Sequence, residues 1–258
     1  MSDLQQSQCS QHSSKEYCVV IPIYNHEQYI ESTLKRIFPF DLPIIIVNDG
    51  SRDECTQVLN KLQEQYESVN VLHLPQNGGK GAAVIAGLNK AYVDGYQYAV
   101  QIDADGQHDI EKLNELLVVS KGNPNALVTA VPVYDESVPK GRLIARYITH
   151  VWVWINTISF AIKDSMCGYR VYPLRATCDL LKRVSLGLRM DFDIEILVRL
   201  YWDGVDIKNL PIKVIYHDDG VSHFDAVQDN ILISKMHARL FFGMLIRLPK
   251  LLLRKVLP

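Results

Sequence analysis

The stretch that decides the fold is YAVQIDADG, at residues 98–106. Its first five residues form a short and mostly apolar run, which predicts a buried β-strand over 98–102. Asp103 and Asp105 follow directly, so two carboxylates stand at the end of that strand. A short strand without a polar face is typical of a parallel sheet that is covered by helices on both sides.

Three further runs of this kind precede it, and helical patterns separate them. Strands are predicted over 17–23, 44–47 and 69–74, and helices over 27–38, 53–66 and 82–91. Strands that alternate with helices predict an α/β fold with a mostly parallel sheet and helices on both faces. Ligands of such sheets bind beyond the carboxyl ends of the strands. Here these ends carry Tyr24-Asn25, Asp49-Gly50, Asn77-Gly78 and Asp103-Ala104-Asp105, which predicts one polar rim with an active site.

The second half of the chain is less regular. It predicts strands over 126–131 and 207–216, helices over 143–163 and 192–202, a loop over 164–170 and a helical tail from about residue 228. We therefore expect three parts: a disordered lead-in at 1–16, a catalytic domain at 17–227 and a C-terminal basic amphipathic helix at 228–258.

Composition excludes several classes of protein. The chain has 258 residues, of which 48% are hydrophobic, and a formal net charge of −2. This suffices for a substantial core and gives no reason to expect a nucleic-acid partner. The five cysteines are scattered without a C-x-x-C motif, which favours reduced thiols over a disulfide framework or a zinc site. The N-terminus lacks the apolar core of a signal peptide, and no apolar run reaches the ~20 residues of a membrane span, so we expect a cytoplasmic protein.

The carboxylates of Asp103 and Asp105 are the main candidate metal ligands. Residues i and i+2 of an extended chain point to the same side, where two carboxylates repel each other unless a cation lies between them. Their hard oxygens suit Mg²⁺ or Mn²⁺, which would bridge to the diphosphate of a substrate. The alternative is an ordinary Asp-Gly turn with both acids in water.

Two other segments at the rim are open to two interpretations. Asp49-Gly50-Ser51 is either a plain turn that caps a helix or part of a binding site. Asn77 to Gly81 is either a flexible hairpin or a loop whose N–H groups approach a phosphate, with Lys80 adding charge. It is not a P-loop, because the G-x-x-x-x-G-K-[ST] pattern is absent.

Six segments, taken in order, resemble the family 2 glycosyltransferases, especially the polyprenyl-phosphate (dolichyl-phosphate) mannose synthase-like branch. They are VVIPIYNHE (19–27), IIIVNDGSRDE (44–54), NGGKGAAVIAG (77–87), QIDADGQHD (101–109), DSMCGYRVY (164–172) and FDIEILVRL (192–200). The resemblance implies a Rossmann-like GT-A fold and a metal-dependent, inverting glycosyltransferase that uses a UDP- or GDP-sugar.

The family pattern also implies roles for individual residues. A nucleoside pocket would be formed by Pro22, Tyr24, Asn25, Glu27 and Asp49. Gly79 and Lys80 would lie near the ribose or the diphosphate, and Asp103, Asp105 and Gln107 would form the metal and diphosphate site. Gly168, Tyr169 and Arg170 would lie near the donor sugar or the acceptor, with Asp191, Asp193 and Glu195 as acceptor-side acids.

The acceptor is expected to be lipid-linked or close to a membrane. The branch usually carries basic residues near the end of the catalytic domain, where this chain has His217 and His223. A neutral imidazole binds a phosphate less well, which leaves a phosphate or a hydroxyl acceptor open, and either histidine could instead ligate metal. A hydroxyl would need a general base, and Glu195 ranks first because the start of a helix already accounts for Asp191 as an N-cap and for Asp193.

The C-terminal tail predicts membrane contact. Six basic residues and no acid follow Ile231, interleaved with large apolar side chains, which suits a helix at the inner face of an anionic membrane. The alternative is a helix packed on the core. The Trp-containing stretch 148–162 fits a membrane interface, a core helix or a dimer helix equally well.

Two other functions use a related sheet. A nucleotidyltransferase that makes a nucleotide-sugar would need a glycine-rich, basic loop after the first strand, where this chain has Tyr24-Asn25-His26-Glu27. A non-catalytic module that binds a nucleotide-sugar would be indicated by loss of an aspartate from the metal pair, and both aspartates are present.

Overall fold

Apolar runs and amphipathic helices alternate along the chain as the sequence predicts. The computed structural model describes residues 16–133, 140–213 and 227–256. The strands of these residues are β1 (Tyr17–Ile23), β2 (Ile44–Asn48), β3 (Val69–His73), β4 (Tyr98–Gln101), β5 (Leu127–Val133), β6 (Arg170–Pro173) and β7 (Ile207–Lys213). The α-helices are α1 (Glu27–Ile37), α2 (Asp53–Gln65), α3 (Lys80–Val93), α4 (Leu113–Gly122), α5 (Lys140–Thr157), α6 (Leu174–Arg183), α7 (Phe192–Trp202) and α8 (Gln228–Val256).

The seven strands form one sheet in the order β3-β2-β1-β4-β6-β5-β7. All neighbouring pairs are parallel except those that β6 makes with β4 and β5. The predicted fold class, a mostly parallel sheet with helices on both faces and a C-terminal helix, is confirmed. Strand β6 was not predicted, because Arg170 and Pro173 interrupt the apolar run that signals a buried strand.

Helices cover both faces of the sheet. One core cluster joins the sheet to α1, α2 and α4, and the other joins it to α3 and α5 to α8. Helix α3 lies close to β1 and β2, and a Cβ atom at Gly87 would lie 2.4 Å from Cγ1 of Val20. Glycine at this position therefore permits the close approach of helix and sheet.

Several element ends differ from the prediction. Helix α3 begins two residues before its predicted start, and the predicted helix 143–163 begins at Lys140 and ends at Thr157. The chain turns there because Ile158 has a φ of +49°, in the left-handed region. Some predicted features lie outside the described residues. They are the lead-in that precedes Glu16, the end of the predicted strand 207–216, and the two histidines His217 and His223.

The C-terminal helix packs against the core along one face. It buries Ile233, Met236, Leu240, Met244 and Leu251 in the cluster shared with α5 and α7. This face of α8 therefore agrees with the alternative in which the C-terminal helix packs on the core. Within residues 16–133, 140–213 and 227–256, no helix has the length and apolar character that crossing a bilayer requires.

Candidate functional site

The carboxyl ends of β1 and β2 are joined by hydrogen bonds. The N–H of Asn25 donates to Oγ of Ser51 at 3.1 Å, and Oδ1 of Asn25 accepts the N–H of Arg52 at 2.9 Å. The guanidinium of Arg52 lies 3.1 Å from Glu27. Asn25 adopts a left-handed backbone with φ of +54°, a conformation that asparagine tolerates better than most residues. These contacts shape the rim beside Tyr24 and the buried Pro22.

Asp49 holds the glycine loop in place. Its two carboxylate oxygens accept the N–H groups of Gly78 and Gly79, each at 2.8 Å. Burial raises the pKa of Asp49 above its usual value, and these two hydrogen bonds oppose the rise. Gly79 has a φ of +96°, a conformation that glycine allows. The loop is therefore anchored, and Asp49 uses the N–H groups of Gly78 and Gly79.

Lys80 links two acids that come from distant parts of the sequence. Its Nζ atom lies 2.9 Å from Asp103 and 2.9 Å from Asp193, and its side chain is only 18% exposed. Burial alone would lower the pKa of Lys80, but the two carboxylates outweigh it and hold the pKa well above its usual range. The fully buried Arg170 donates to the backbone oxygen of Asp193 at 2.7 Å and lies 3.6 Å from its carboxylate. We call Asp103, Lys80, Asp193 and Arg170 the charge row.

Two further side chains, Gln101 and His108, contact Asp103. Gln101 donates to Oδ1 of Asp103 at 3.4 Å, and Tyr172 donates to Gln101 at 3.0 Å. His108 lies 3.6 Å from Oδ2 of Asp103. Burial would raise the pKa of Asp103, but Lys80 and His108 outweigh it and lower the pKa to about 2. Asp103 is therefore an ionised carboxylate with neighbours on both oxygens.

Asp105 has different surroundings. It is partly exposed, and its Oδ1 accepts the N–H of Gln107 at 3.0 Å. Arg36 donates to the backbone oxygens of Gly106 and His108, at 3.2 and 3.1 Å, and so fixes the turn that carries Asp105. In the part of the chain that the structure describes, no Lys, Arg or His pairs with Asp105.

These two carboxylates fit Mg²⁺ or Mn²⁺ only in combination with other oxygens. Among the described residues no group of three His, Cys, Asp or Glu side chains is arranged to hold a metal. Mg²⁺, however, is usually held by one or two carboxylates together with water and substrate phosphates. The donor set at the end of β4 agrees with that mode, with Asp105 as the ligand that no basic side chain of the described residues occupies.

The loop before β6 lies against Asp103. A Cβ atom at Gly168 would lie 2.7 Å from Oδ2 of Asp103, so any larger residue there would have to displace the Asp103 carboxylate. The ring of Tyr169 stacks on His108 with a centroid distance of 5.0 Å. Gly168 and Arg170 thus lie at the charge row and Tyr169 lies against His108, while their place near the donor sugar or the acceptor stays a prediction.

Asp164 anchors this loop to α5. Its carboxylate accepts the N–H groups of Met166 and Cys167, and it lies 2.6 Å from Arg146 and 3.3 Å from His150. Burial would raise the pKa of Asp164, but His150 and Arg146 hold it well below its usual range. This interaction keeps Gly168 in contact with Asp103.

The three acids at the start of α7 have separate partners. Asp193 belongs to the charge row. Asp191 occupies the N-cap position, but its side chain makes no capping hydrogen bond and instead accepts the N–H of Arg189 at 3.3 Å. The expectation that Asp191 caps the helix is therefore wrong for its side chain. Burial raises the pKa of Asp191.

Glu195 is fully buried and binds groups from three segments. One carboxylate oxygen lies 2.7 Å from Arg199 of α7. The other lies 2.7 Å from Arg239 of α8 and accepts the N–H of Gly187 at 2.9 Å. Both oxygens are thus occupied by positive or N–H groups. Glu195 joins α7, α8 and the loop that precedes Asp191.

Sequence reasoning missed four residues of this site. Gln101 and Tyr172 lie within apolar strand runs, and Arg36 lies in a helix far along the chain from the turn that it holds. Gln101 and His108 belong to the segment 101–109 that contains both aspartates, and Tyr172 ends the segment 164–172, but the sequence gave none of them a role. The contact of His108 with Asp103 needed the structure.

Comparison with known proteins gives sequence relatives. A family model described as "Glycosyl transferase family 2" matches residues 18–186. A dolichyl-phosphate beta-glucosyltransferase of Trichomonas vaginalis is 31% identical over 199 residues, 69% of this chain and 59% of that protein. The dolichyl-phosphate beta-glucosyltransferase of Saccharomyces cerevisiae is 30% identical over 245 residues, 84% of this chain and 71% of that protein. The chain thus spans only part of the length of these relatives.

Solved structures share the fold. Glucosyl-3-phosphoglycerate synthase of Mycobacterium tuberculosis, in complex with Mn²⁺ and UDP-glucose, aligns with a TM-score of 0.62 and 19% identity over 90% of this chain and 79% of that one. TarS of S. aureus in complex with UDP-GlcNAc aligns with a TM-score of 0.60 and 16% identity over 87% of this chain and 66% of that one. The resemblance noted in the sequence is confirmed, and the chain belongs to glycosyl transferase family 2, with the GT-A fold.

Proposed function

We propose that this protein is an inverting, metal-dependent glycosyltransferase that moves a sugar from a nucleotide-sugar to a lipid-linked acceptor at a membrane. The observation that carries the proposal is that Asp105 and the charge row, which includes Asp103, both lie at the carboxyl end of β4. Ligands of α/β sheets bind at this end of the strands. In this arrangement Asp105 can ligate a metal. The charge row runs from Asp103 to Asp193, at the start of α7.

The donor is proposed to be a UDP-sugar, with UDP-glucose first. UDP-sugars are bound in the two solved structures described above, and both sequence relatives are named glucosyltransferases. A GDP-sugar has no such support. The nucleoside would bind at Pro22, Tyr24, Asn25 and Glu27, at the end of β1.

The diphosphate is proposed to lie between Lys80 and the turn that carries Asp105 and Gln107. A divalent ion held by Asp105, with Asp103 beside it, would neutralise the charge that develops on the departing nucleoside diphosphate. Lys80 would add a further positive charge from a buried position. Gly168 leaves room for Asp103 to keep this arrangement.

The acceptor is proposed to be a lipid phosphate, because the sequence relatives are named for dolichyl phosphate. A phosphate is already ionised, so its attack needs no general base. If the acceptor is a hydroxyl, the geometry favours Asp191 as the base, because Asp193 and Glu195 are held by basic side chains. Burial raises the pKa of Asp191, which suits a base that operates near neutral pH.

The test is to incubate the protein with Mn²⁺ and UDP-glucose, UDP-GlcNAc or GDP-mannose, and to measure nucleoside diphosphate release with two acceptors. One acceptor is a polyprenyl phosphate, and the other is a lipid that carries a terminal sugar hydroxyl. We expect UDP release from UDP-glucose that depends on the polyprenyl phosphate. Release that depends only on the hydroxyl lipid would contradict the phosphate acceptor.

Two outcomes would contradict glycosyl transfer itself. Pyrophosphate release from UTP and a sugar 1-phosphate would identify a nucleotidyltransferase. Binding of UDP-glucose, seen as a rise in unfolding temperature, without turnover of any acceptor would indicate a binding module.

A further inference from the structure

Helices α5 and α8 expose an apolar surface that is unusual for helices in water. On α8 the outward side chains include Phe242, Leu245 and Ile246, and Ile246 is 80% exposed. On α5 they include Ile144 and Ile148, of which Ile144 is 62% exposed. A helix that faces water normally carries polar residues on that side, and large exposed apolar surfaces mark interaction sites.

The outward sides of the two helices adjoin each other. The inner side of each helix, opposite the outward side, packs on α7. Residues of these inner sides belong to one core cluster. Trp152 of α5, which is 40% exposed, meets the ring of Phe241 of α8 edge-on, with a centroid distance of 6.3 Å. We call the outward apolar side chains of both helices the α5–α8 face. It comprises Ile144, Tyr147, Ile148, Trp152, Ile155, Ile231, Phe242, Leu245, Ile246, Leu252 and Leu253.

The charge of these helices selects the partner. Together they contain nine Lys or Arg residues and one acid, Asp229, which gives a net charge of +8. Because the whole chain has a net charge of −2, the remaining residues have a net charge of −10. Lys235, Arg239 and Lys250 are exposed beside the apolar side chains of α8, and Arg239 also pairs with Glu195. Because Arg146, Arg239 and Arg254 pair with acids of other segments, the positive charge on the outward side comes chiefly from the exposed Lys235 and Lys250.

We propose that the α5–α8 face docks on an anionic lipid surface, with the apolar side chains of both helices in the interface and the basic residues on lipid headgroups. Amphipathic helices with basic edges bind anionic membranes in this way. A second copy of the chain would bring two positive faces together, which is electrostatically unfavourable. The inference deepens the proposed function, because it names two helices rather than the tail alone as the contact with the membrane of the acceptor.

The test is co-sedimentation of the full chain with vesicles of phosphatidylcholine, with or without phosphatidylglycerol, in the absence of donor and acceptor. We expect binding that requires phosphatidylglycerol and weakens as salt is added. Ile246→Glu on α8 and Ile148→Glu on α5 should each lower the partition coefficient by about tenfold or more, because each puts a negative charge in the interface. Val118→Glu is the matched control, since Val118 is 68% exposed on α4, on the other face of the sheet.

Fluorescence gives a second measurement that does not rely on the Glu variants. The emission of Trp152 should shift to shorter wavelength when anionic vesicles are added, and Trp152→Phe should remove most of the shift. Near-ultraviolet circular dichroism should show that each variant keeps the native fold.

Several results would overturn the proposal. They are no binding to anionic vesicles, equal loss of binding in Val118→Glu, or loss with Ile246→Glu but not with Ile148→Glu, which would restrict contact to α8. A lipid-free dimer that Ile246→Glu converts to a monomer would assign the face to a second copy. The assay contains no nucleotide-sugar, so failure of docking and failure of glycosyl transfer are measured separately.

Discussion

Asp103 and Asp105 are two residues apart in the sequence, yet their carboxylates have different neighbours. Both are partly exposed, but Asp103 contacts Lys80, His108, Gln101 and Gly168, whereas Asp105 lies on a turn that Arg36 holds and pairs with no basic side chain of the described residues. The sequence pattern treats the pair as equivalent. In the structure, Asp105 is the one whose carboxylate can turn toward a ligand without breaking an ion pair.

Asp105→Asn should keep the fold and lower the transfer rate by at least about a hundredfold. The substitution removes the charge that holds the cation, and metal stabilisation of a leaving group contributes several kcal/mol. Transfer with Mn²⁺ and the unfolding temperature are the two measurements. Asp109→Asn is the control, because Asp109 belongs to the same segment outside the proposed metal site. A near-normal rate for Asp105→Asn, or in excess EDTA, would remove the metal from the proposal.

Asp49→Ala should weaken donor binding through the loop rather than through lost contact with the nucleoside. Gly78 and Gly79 would lose their acceptors, and an unsatisfied buried N–H costs about 1–3 kcal/mol. We expect the KM for the donor to rise by about tenfold or more, kcat to change less, and the unfolding free energy to fall. Unchanged stability combined with weaker donor binding would instead favour direct contact between Asp49 and the nucleoside.

Glu195→Gln separates a structural role from a catalytic one. Removing one partner of a buried ion pair usually costs about 3 kcal/mol or more, and Arg199 would be left without its carboxylate. We expect a fall of about 3 kcal/mol in the free energy of unfolding in urea. The exposed Glu31, paired with Lys35, supplies the control Glu31→Gln, which should unfold almost as the wild type does. Full stability with loss of transfer would restore Glu195 as the base.

At the scale of elements, the contact between α5 and α8 contains a buried histidine. His237 of α8 stacks on Trp152, and its Nδ1 lies 3.4 Å from Asn156. Its Nε2 has no hydrogen-bond partner within the described residues. Burial lowers the pKa of His237 from 6.5 to about 4. The junction of the two helices is therefore built for a neutral imidazole.

Acid should weaken this junction. Because the pKa of His237 is lower in the folded state, the unfolded chain binds the proton first, so stability is complete above pH 6.5 and falls as pH decreases toward 4. The contribution is roughly 3 kcal/mol, since the shift from 6.5 to about 4 is multiplied by about 1.4 kcal/mol per pKa unit. Urea unfolding at pH 7 and pH 4.5 measures it, with His237→Gln as the comparison. An equal loss of stability in both proteins would assign the acid sensitivity to other groups.

At the scale of the whole molecule, α8 is as much a part of the core as of the surface. A chain that ends at residue 227 would expose the partners of Ile233, Met236, Leu240, Met244 and Leu251. Burial of such side chains contributes about 1.5–3 kcal/mol each, so the loss is roughly 10 kcal/mol and comparable with the stability of a whole domain. We expect no cooperative unfolding transition from this chain. A chain that ends at Leu251 is the control and should remain folded. A folded, soluble 1–227 protein would support the separate catalytic domain expected at 17–227.

The sequence predicted the parallel half of the sheet and the positions of the rim residues, because apolar runs and polar strand ends are local signals. It did not predict β6, a four-residue strand whose burial depends on neighbours β4 and β5. Nor could it predict that Lys80 would meet both Asp103 and Asp193, or that Arg239 would reach Glu195, because sequence separation carries no signal of such pairing. The residues that gather at the strand ends were largely recognisable in the sequence, but their partners were not.

The position of α8 in the order of synthesis has a consequence for the nascent chain. Strands β1 to β4 and helix α3 leave the ribosome early, but their shared cluster also needs Met236 and Leu240. At about 5–20 residues per second, roughly 10–30 s separate Val93 from Leu251. The inner sides of α5 and α7, against which α8 packs, have no cover until the end of that time. We therefore expect the nascent chain to bind chaperones most strongly just before α8 emerges, and to become resistant to proteolysis once it has.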